Sequence, residues 1–259
     1  MTAFHLVRVP VDIGQLARWA GERGWAGSKG AAYDEGRALH HLVTEVWGPG
    51  VLPCFRLLIA PRRRVGNLYA YSAMDAEALR AAAGVQAPPE HLRVLRLEGL
   101  ESKPMPGNWR AGQRLGFDLR TRPVRRLRRD LVGPRETIRA GSEVDAFLLE
   151  ALRRHPEAAG SMSGEGRTRQ EVYLDWLAEG LTPAATLDRS ATRLVRFRRQ
   201  RVAREKRDSE GPDATMHGVL VVTDPTAISE LLMRGVGRHR AYGYGMLLLR
   251  PAARPVPVR

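Results

Sequence analysis

Eleven residues near the C-terminal end, Gly235-Val236-Gly237-Arg238-His239-Arg240-Ala241-Tyr242-Gly243-Tyr244-Gly245, set three basic side chains among four glycines. Glycine lets a backbone approach a ligand closely and take positive φ, so that N–H groups can face an anion. Arg238 and Arg240 add cationic, fork-shaped donors. No Gly-Lys-Ser/Thr ending follows, which argues against a nucleotide-binding P-loop. Such a loop suits a polymeric phosphodiester backbone; the plainer alternative is a tight glycine turn with solvated arginines. Two elements must position it. Pro225 to Met233 has Ile228, Leu231 and Leu232 at helical spacing, and Met246 to Leu249 is a hydrophobic strand, so the order is helix, loop, strand.

The charge balance shifts the choice toward the ligand. The 259 residues hold 42 Lys and Arg against 28 Asp and Glu, for a formal net charge of +14. Lysine occurs only at positions 29, 103 and 206, so 39 of the basic residues are arginine. Codon bias can favour arginine over lysine, but it does not set the excess of cations over anions. An excess of this size points to a polyanion. Hydrophobic residues make up 43% of the chain, ample for a core and unlike a disordered basic tail. A single cysteine, Cys54, excludes an intramolecular disulfide and a cysteine-based zinc cluster. No metal or cofactor is expected. Neither a signal peptide nor a membrane span is read, so the expectation is a cytoplasmic protein.

Taken in order, residues 3 to 11 alternate as a strand. Asp12 caps a helix with Ile13, Leu16, Ala17 and Ala20 as its apolar stripe. The loop Gly24 to Ala32 carries Trp25 and Lys29. A second helix spans Asp34 to Trp47, stopped by Gly48-Pro49-Gly50. Strands follow at Phe55 to Ile59 and Gly66 to Tyr71, then a helix at Asp75 to Ala83 and a strand at His91 to Leu97. With one extra helix, this is the β-α-β-β-α-β pattern of a ferredoxin-like domain, assigned to residues 1–103. Residues 104–112 read as a linker. A second round begins with a strand at Gln113 to Thr121. It continues with helices at Val144 to Leu152 and Arg169 to Leu181, a strand at Met216 to Thr223, and the helix, loop and strand of the ending. The fold class is α+β: two tandem ferredoxin-like domains, the second (113–259) with a helical insertion at about 130–168.

Two stretches carry a family resemblance. Ala111-Gly-Gln-Arg-Leu-Gly-Phe-Asp-Leu-Arg-Thr-Arg-Pro-Val-Arg-Arg-Leu127 and the ending from Val222-Thr-Asp-Pro to Leu249 resemble the CRISPR RNA-processing endoribonucleases of the RAMP superfamily, within them the CasE-like branch of type I-E systems. The resemblance implies tandem ferredoxin-like domains and a metal-independent cut of a CRISPR repeat RNA hairpin. A ribose 2′-hydroxyl attacks the adjacent phosphate, and the enzyme keeps its product within an effector complex of other subunits. It also marks a Tyr and a His three residues later, at the start of the second helix. Here the Tyr is Tyr33, but Gly36 stands where the His is expected. The missing His, the arginine excess and the insertion together resemble the repeat-processing subunit of type IV systems.

Candidates to replace that histidine lie nearby. His40 follows Gly36 by one helical turn and His41 follows Arg37 by one, although His40 also borders the apolar stripe Leu39, Leu42, Val43 and Val46. Arg23 and Arg37 bracket the expected site; arginine keeps its proton at neutral pH and serves as an oxyanion stabiliser rather than a base. The expectation is a site of Arg23, Arg37 and Tyr33, assisted by His40 or His41. RNA contacts are expected from Lys29, from Arg122, Arg125, Arg126, Arg128 and Arg129, from Arg196, Arg198, Arg199 and Arg201, and from Gly235, Gly237, Arg238, His239, Arg240 and Gly243. The two arginine runs are expected beside the second sheet, where a stem could lie and A-form RNA would be read by shape and phosphate. A guide-RNA-binding subunit that does not cut is the alternative, and a backbone protein coating the guide is a further one that the glycine loop argues against.

Overall fold

The structure is a computed structural model; it describes residues 3–25, 34–132, 137–154, 166–204 and 207–251. In the first half, β1 (His5–Asp12) sends Val7, Val9 and Val11 into one core. The Asp12 side chain accepts the Gln15 N–H at 3.1 Å and starts α1 (Ile13–Glu22). Asp34 accepts the Arg37 N–H at 3.0 Å and starts α2 (Glu35–Trp47) in the same way. Each cap satisfies a donor that a helix end leaves bare, worth about 1 kcal/mol. The apolar stripes of both helices, including Leu16, Trp19, Leu39, Leu42 and Val46, pack on the sheet. Strands β2 (Phe55–Leu58) and β3 (Val65–Ser72), helices α3 (Ala76–Gln86) and α4 (Pro89–Val94), and β4 (Glu101–Pro104) complete the unit. The sheet order is β2-β3-β1-β4, all antiparallel, as a ferredoxin-like domain requires.

The strand expected at His91 to Leu97 is instead α4 and a 3-10 turn at Leu97–Gly99. Pro88 and Pro89 preset a helical start, and His91 and Val94 bury one face of that single turn. The fourth strand lies further on, in Glu-Ser-Lys-Pro, whose polar residues carry no hydrophobic alternation.

The second half repeats the plan. Strand β5 (Arg114–Thr121) is followed by β6 (Val124–Arg126), β7 (Leu131–Val132), β8 (Thr137–Ile138), β9 (Glu143–Asp145) and α5 (Ala146–Arg154). Then come α6 (Arg169–Leu181), β10 (Ala185–Arg204), β11 (Arg207–Val222), α7 (Ile228–Arg234) and β12 (Leu247–Arg250). The order β10-β11-β5-β12 again matches the ferredoxin-like sheet, with α6 and α7 as its crossovers. Among its described residues, the stretch expected as a helical insertion contains one helix, α5. It also holds the small ladders β7–β8 and β6–β9, too short to show a period in the sequence.

The basic run expected from Arg193 is most of β10. It pairs with β11 along nearly its whole length, while β5 covers β11 only from Ala214 to Val221. Past that point the hairpin continues as a two-stranded ribbon.

One core joins the halves. Phe4, Cys54, Tyr71 and Trp109 cluster with Phe117, Leu119, Trp176, Leu231, Met246 and Leu247. The Tyr71 hydroxyl donates to the Leu247 carbonyl at 2.8 Å, and the Trp109 indole donates to Ser229 Oγ at 3.0 Å. Trp109, in the stretch expected as a linker, is thus part of the packing. Burying a side chain the size of Phe4 contributes roughly 1.5–3 kcal/mol.

Candidate functional site

Helix α1 packs beside α2, and a second 3-10 turn, Arg240–Tyr242 in the glycine loop, faces the first turns of α2. Gly36 is the point of contact. A β-carbon there would lie 2.5 Å from the Tyr242 carbonyl oxygen, so helix and loop meet backbone to backbone. One turn along α2, the His40 ring sits 4.9 Å from that of Tyr242 and 5.4 Å from that of His41. His41 stacks on Trp25 at 4.3 Å. The Arg37 guanidinium lies over the outer ring, 5.4 Å from the Trp25 centroid. Arg23, just past α1, lies 4.1 Å over Trp19 and 3.7 Å from Glu45. Glu45 also takes the buried His91 at 2.6 Å, which anchors the carboxylate that steers Arg23. Tyr33 and Lys29 lie outside the described residues.

The electrostatics of this cluster suit proton transfer. Burial lowers the pKa of His40, and the neighbouring His41 lowers it further. Burial and then Arg37 do the same to His41, against a smaller opposing pull from Glu45. Both imidazoles are therefore neutral near pH 7 and able to accept a proton. Burial pushes the Glu35 carboxyl the other way, up, despite the arginines 120 and 198 nearby. Cys54 is no nucleophile: burial raises its thiol to about 12, and its Sγ faces the Met233 carbonyl at 3.5 Å.

The glycine loop is tied down at both ends. The Val236 N–H donates to the Gly245 carbonyl at 2.8 Å, and the Gly245 N–H to that of Arg120 at 2.7 Å. Gly235, Gly237, Gly243 and Gly245 take φ between 72° and 82°. At Gly245 any side chain is barred twice over, since a β-carbon would also meet the Val236 carbonyl at 2.4 Å. The loop cations do not all face solvent. Arg238 Nε donates to Glu143 at 2.5 Å, His239 Nε2 lies 2.6 Å from the other Glu143 oxygen, and Arg240 donates to the Arg234 carbonyl at 2.9 Å. These side chains line a cavity of about 660 Å³ with Pro53 and Tyr242. Glu143 was invisible as a partner in the sequence because ninety-odd residues separate it from the loop.

On the second sheet, the face away from α6 carries a charged network. Asp213 accepts two hydrogen bonds from Arg120, at 2.9 and 3.0 Å, and one from Arg198 at 2.6 Å. Burial opposes ionisation of Asp213, yet these partners hold its pKa below the usual carboxylate range. Gln200 accepts from the Tyr244 hydroxyl at 3.0 Å, and Arg120 lies 4.6 Å from the Tyr244 ring centroid. Arg56 of β2 reaches Asp118 at 3.1 Å, and His217 meets the same carboxylate at 2.9 Å. Arg196 and Arg199 are exposed on β10, and Arg199 lies 4.0 Å from Glu210. The Arg201 side chain lies outside the described residues.

The run Arg120 to Arg129, expected beside the second sheet, divides. Arg120 belongs to the network above. Arg122 is 5% exposed and lies 5.8 Å from the Tyr244 ring centroid. Arg125 pairs with Glu179 at 2.7 Å, Arg126 donates to the Gly141 carbonyl at 3.1 Å, and Arg128 and Arg129 are exposed around a separate cleft beside α6. The reason is the turn at Pro123, after which the chain leaves β5 to pair with β9. Among the described residues, no three His, Cys, Asp or Glu side chains converge as metal ligands, and no helix is long and apolar enough to cross a membrane.

Tandem ferredoxin-like sheets with a glycine-rich loop feeding the last strand define the class. The model of the CRISPR-associated protein family matches residues 4–251, and the chain belongs to that family. Solved structures share the fold at low identity. The CRISPR endoribonuclease Cse3 bound to a 19-nucleotide RNA superposes with a TM-score of 0.62 at 17% identity, over 96% of this chain and all of that one. Cse3 from Thermus thermophilus, bound to an RNA representing a pre-cleavage complex, gives 0.61 at 17% identity over the same shares. The CRISPR-associated protein Cas6e from Escherichia coli K-12 gives 0.57 at 16%, again over 96% and all of the respective chains. No curated protein matches the sequence significantly.

Proposed function

We propose that this chain binds a CRISPR repeat RNA hairpin and cuts it without a metal, by attack of a ribose 2′-hydroxyl on the adjacent phosphate, and stays with the product in an effector complex. The observation that carries the reading is His40 beside Tyr242 where α2 meets the glycine loop, with His41 next to it, Arg37 over the Trp25 ring on which His41 stacks, and Arg23 within electrostatic reach of His41. His40 takes the proton of the 2′-hydroxyl. A bond forms from that oxygen to phosphorus, the bond to the 5′-oxygen breaks, and the 5′-oxygen leaves with a proton from solvent or from the imidazolium just formed. Arg37 and Arg23 offset the charge on the phosphorane oxygens. The family's names for related structures, endoribonucleases bound to RNA, support the substrate class. The arginines of β10 and its ribbon give the stem a phosphate-binding flank.

Purified protein incubated with a repeat hairpin in EDTA is expected to yield one discrete product ending in a 2′,3′-cyclic phosphate. Replacing His40 and His41 together by alanine should slow cleavage by roughly 10²–10⁴-fold while RNA affinity stays near that of the native protein. Little change in the double variant, with activity lost in Arg23→Ala or Arg37→Ala, would move the chemistry to the arginines. A second reading, a guide-RNA-binding subunit that does not cut, is favoured by Gly36 at the position where the resemblance expects histidine. Tight binding with no product under these conditions would establish it.

A further inference from the structure

Between α6 and the segment running from β6 to α5 lies a cleft of about 1020 Å³ that the proposed reaction leaves unused. Its floor is apolar, built from Leu149, Val172, Trp176 and Val236. Its walls carry six arginines and four carboxylates. The carboxylates are already engaged. Glu179 takes Arg125 at 2.7 Å, Asp130 takes Arg139 at 3.1 Å, Glu150 takes Arg154 at 2.8 Å, and Asp175 takes Arg167 and Arg189. Arg128, Arg129 and Arg153 are exposed and have no acidic partner among the described residues. Unneutralised cations over an apolar floor are complementary to a strand that offers phosphates outward and bases inward.

The position of the cleft narrows the ligand. Val236 and Gly237, near the start of the glycine loop, line it too. Arg238 to Tyr242, the next residues, line the smaller cavity at the candidate site. A chain crossing the loop passes from one to the other. The volume is at the top of the roughly 300–1,000 Å³ range of small-ligand clefts, room for a few nucleotides and too little for a duplex.

We propose that this cleft binds single-stranded RNA flanking the hairpin, through phosphate contacts to Arg128, Arg129 and Arg153. The assignment rests on the reading of the chain as a hairpin-RNA binder, and extends it to a second ligand segment. An acidic peptide would meet the same cations, but only the RNA is led there by the loop.

The test compares three synthetic RNAs on the full chain: the bare hairpin, and the hairpin with about five unpaired nucleotides on its 5′ or its 3′ side. A 2′-deoxy substitution at the hairpin base prevents cleavage. One of the two extensions should tighten binding about tenfold and steepen the slope of log affinity against log salt by about 2, as three single-strand phosphate contacts would. In the triple variant R128A/R129A/R153A the ratio of extended to bare affinity should fall toward one. The lysine triple variant, R128K/R129K/R153K, should keep most of it, which separates charge from misfolding. An unchanged ratio in the alanine variant, or no gain from either extension, overturns the proposal. A bare hairpin that does not bind the native chain at all would be a different failure, that of the RNA reading itself.

Discussion

At Gly36 the absence of a side chain decides how the site is built. Helix and loop approach until a β-carbon would stand 2.5 Å from a backbone oxygen, which cannot swing away as a side chain could. Gly36→His, which installs the residue the family resemblance expects there, should therefore lower both cleavage and melting temperature rather than raise activity. Overpacking of this kind costs typically 1–3 kcal/mol. Gly36→Ala should show the smaller version of the same loss, read by thermal melting beside a cleavage assay. The histidines set the pH dependence. A base with a lowered pKa stays unprotonated to lower pH, so the rate should fall only on the acid side of about 6.5 and be flat through neutrality. An acidic limb that persists in the His40→Ala/His41→Ala variant would assign the inflection to another group. Glu35 gives the opposite sign in stability. Its folded pKa is raised, so the native state holds a proton that the unfolded chain has released, and stability falls as pH climbs through that window. Glu35→Gln should thus melt higher than the native protein at pH 7, by on the order of 2 °C, with the advantage vanishing below about pH 4 where both states are protonated.

Among the elements, the β10–β11 hairpin asks most of its neighbours. It carries exposed Arg196 and Arg199 on opposite faces of β10, and at the edge of β5 it must settle Arg198 and Arg120 as well. Asp213, 4% exposed, does this for both. Asp213→Asn leaves two arginines around a neutral amide in a partly buried place. Breaking such a pair costs about 3–5 kcal/mol when fully buried, and the exposure of Arg198 puts the expectation at or below the lower end. Urea unfolding measures it. A loss under about 0.5 kcal/mol would show that water, not Asp213, stabilises these guanidiniums. The exposed arginines of β10 act on binding instead. Arg196→Ala/Arg199→Ala should lower the salt slope for hairpin RNA by about 1–2 with the melting temperature nearly unchanged, because neither side chain supports the core.

For the whole molecule, the joint between the halves governs cooperativity. Chains of this length built from two domains often unfold in steps. Here Phe4, Tyr71 and Trp109 belong to the same apolar cluster as Phe117 and Leu247, so opening either half uncovers apolar surface on the other. Calorimetry should therefore show one transition. Tyr71→Phe removes the hydroxyl that donates across the joint to Leu247 and should cost about 1 kcal/mol. Two resolved transitions in the native protein would mean that the shared cluster does not couple the halves.

The sequence by itself determined what depends on local pattern. Helical stripes, the Asp12 cap, the alternation of β1 and β5, and the helix–loop–strand ending are all properties of neighbouring residues, and with the family resemblance they sufficed for tandem ferredoxin-like domains. The charge excess pointed to a polyanion for the same reason, since composition needs no coordinates. Polar β4, the two- and three-residue ladders around the insertion and the helical turn at Pro89 were not legible, because each is too short or too polar to show a period and exists through its neighbours. Tertiary structure alone decided which cations are spoken for. Arg238 and His239 look alike with Arg128 and Arg129 in the sequence, yet Glu143 reaches the first two across the fold while the other two, around a cleft, have no acidic partner among the described residues. It also decided that Gly36 leaves no space for a histidine and that burial lowers the pKa of His40, beside Tyr242, and of His41, stacked on Trp25. Burial and approach between distant segments set both, and no reading of neighbouring residues contains them.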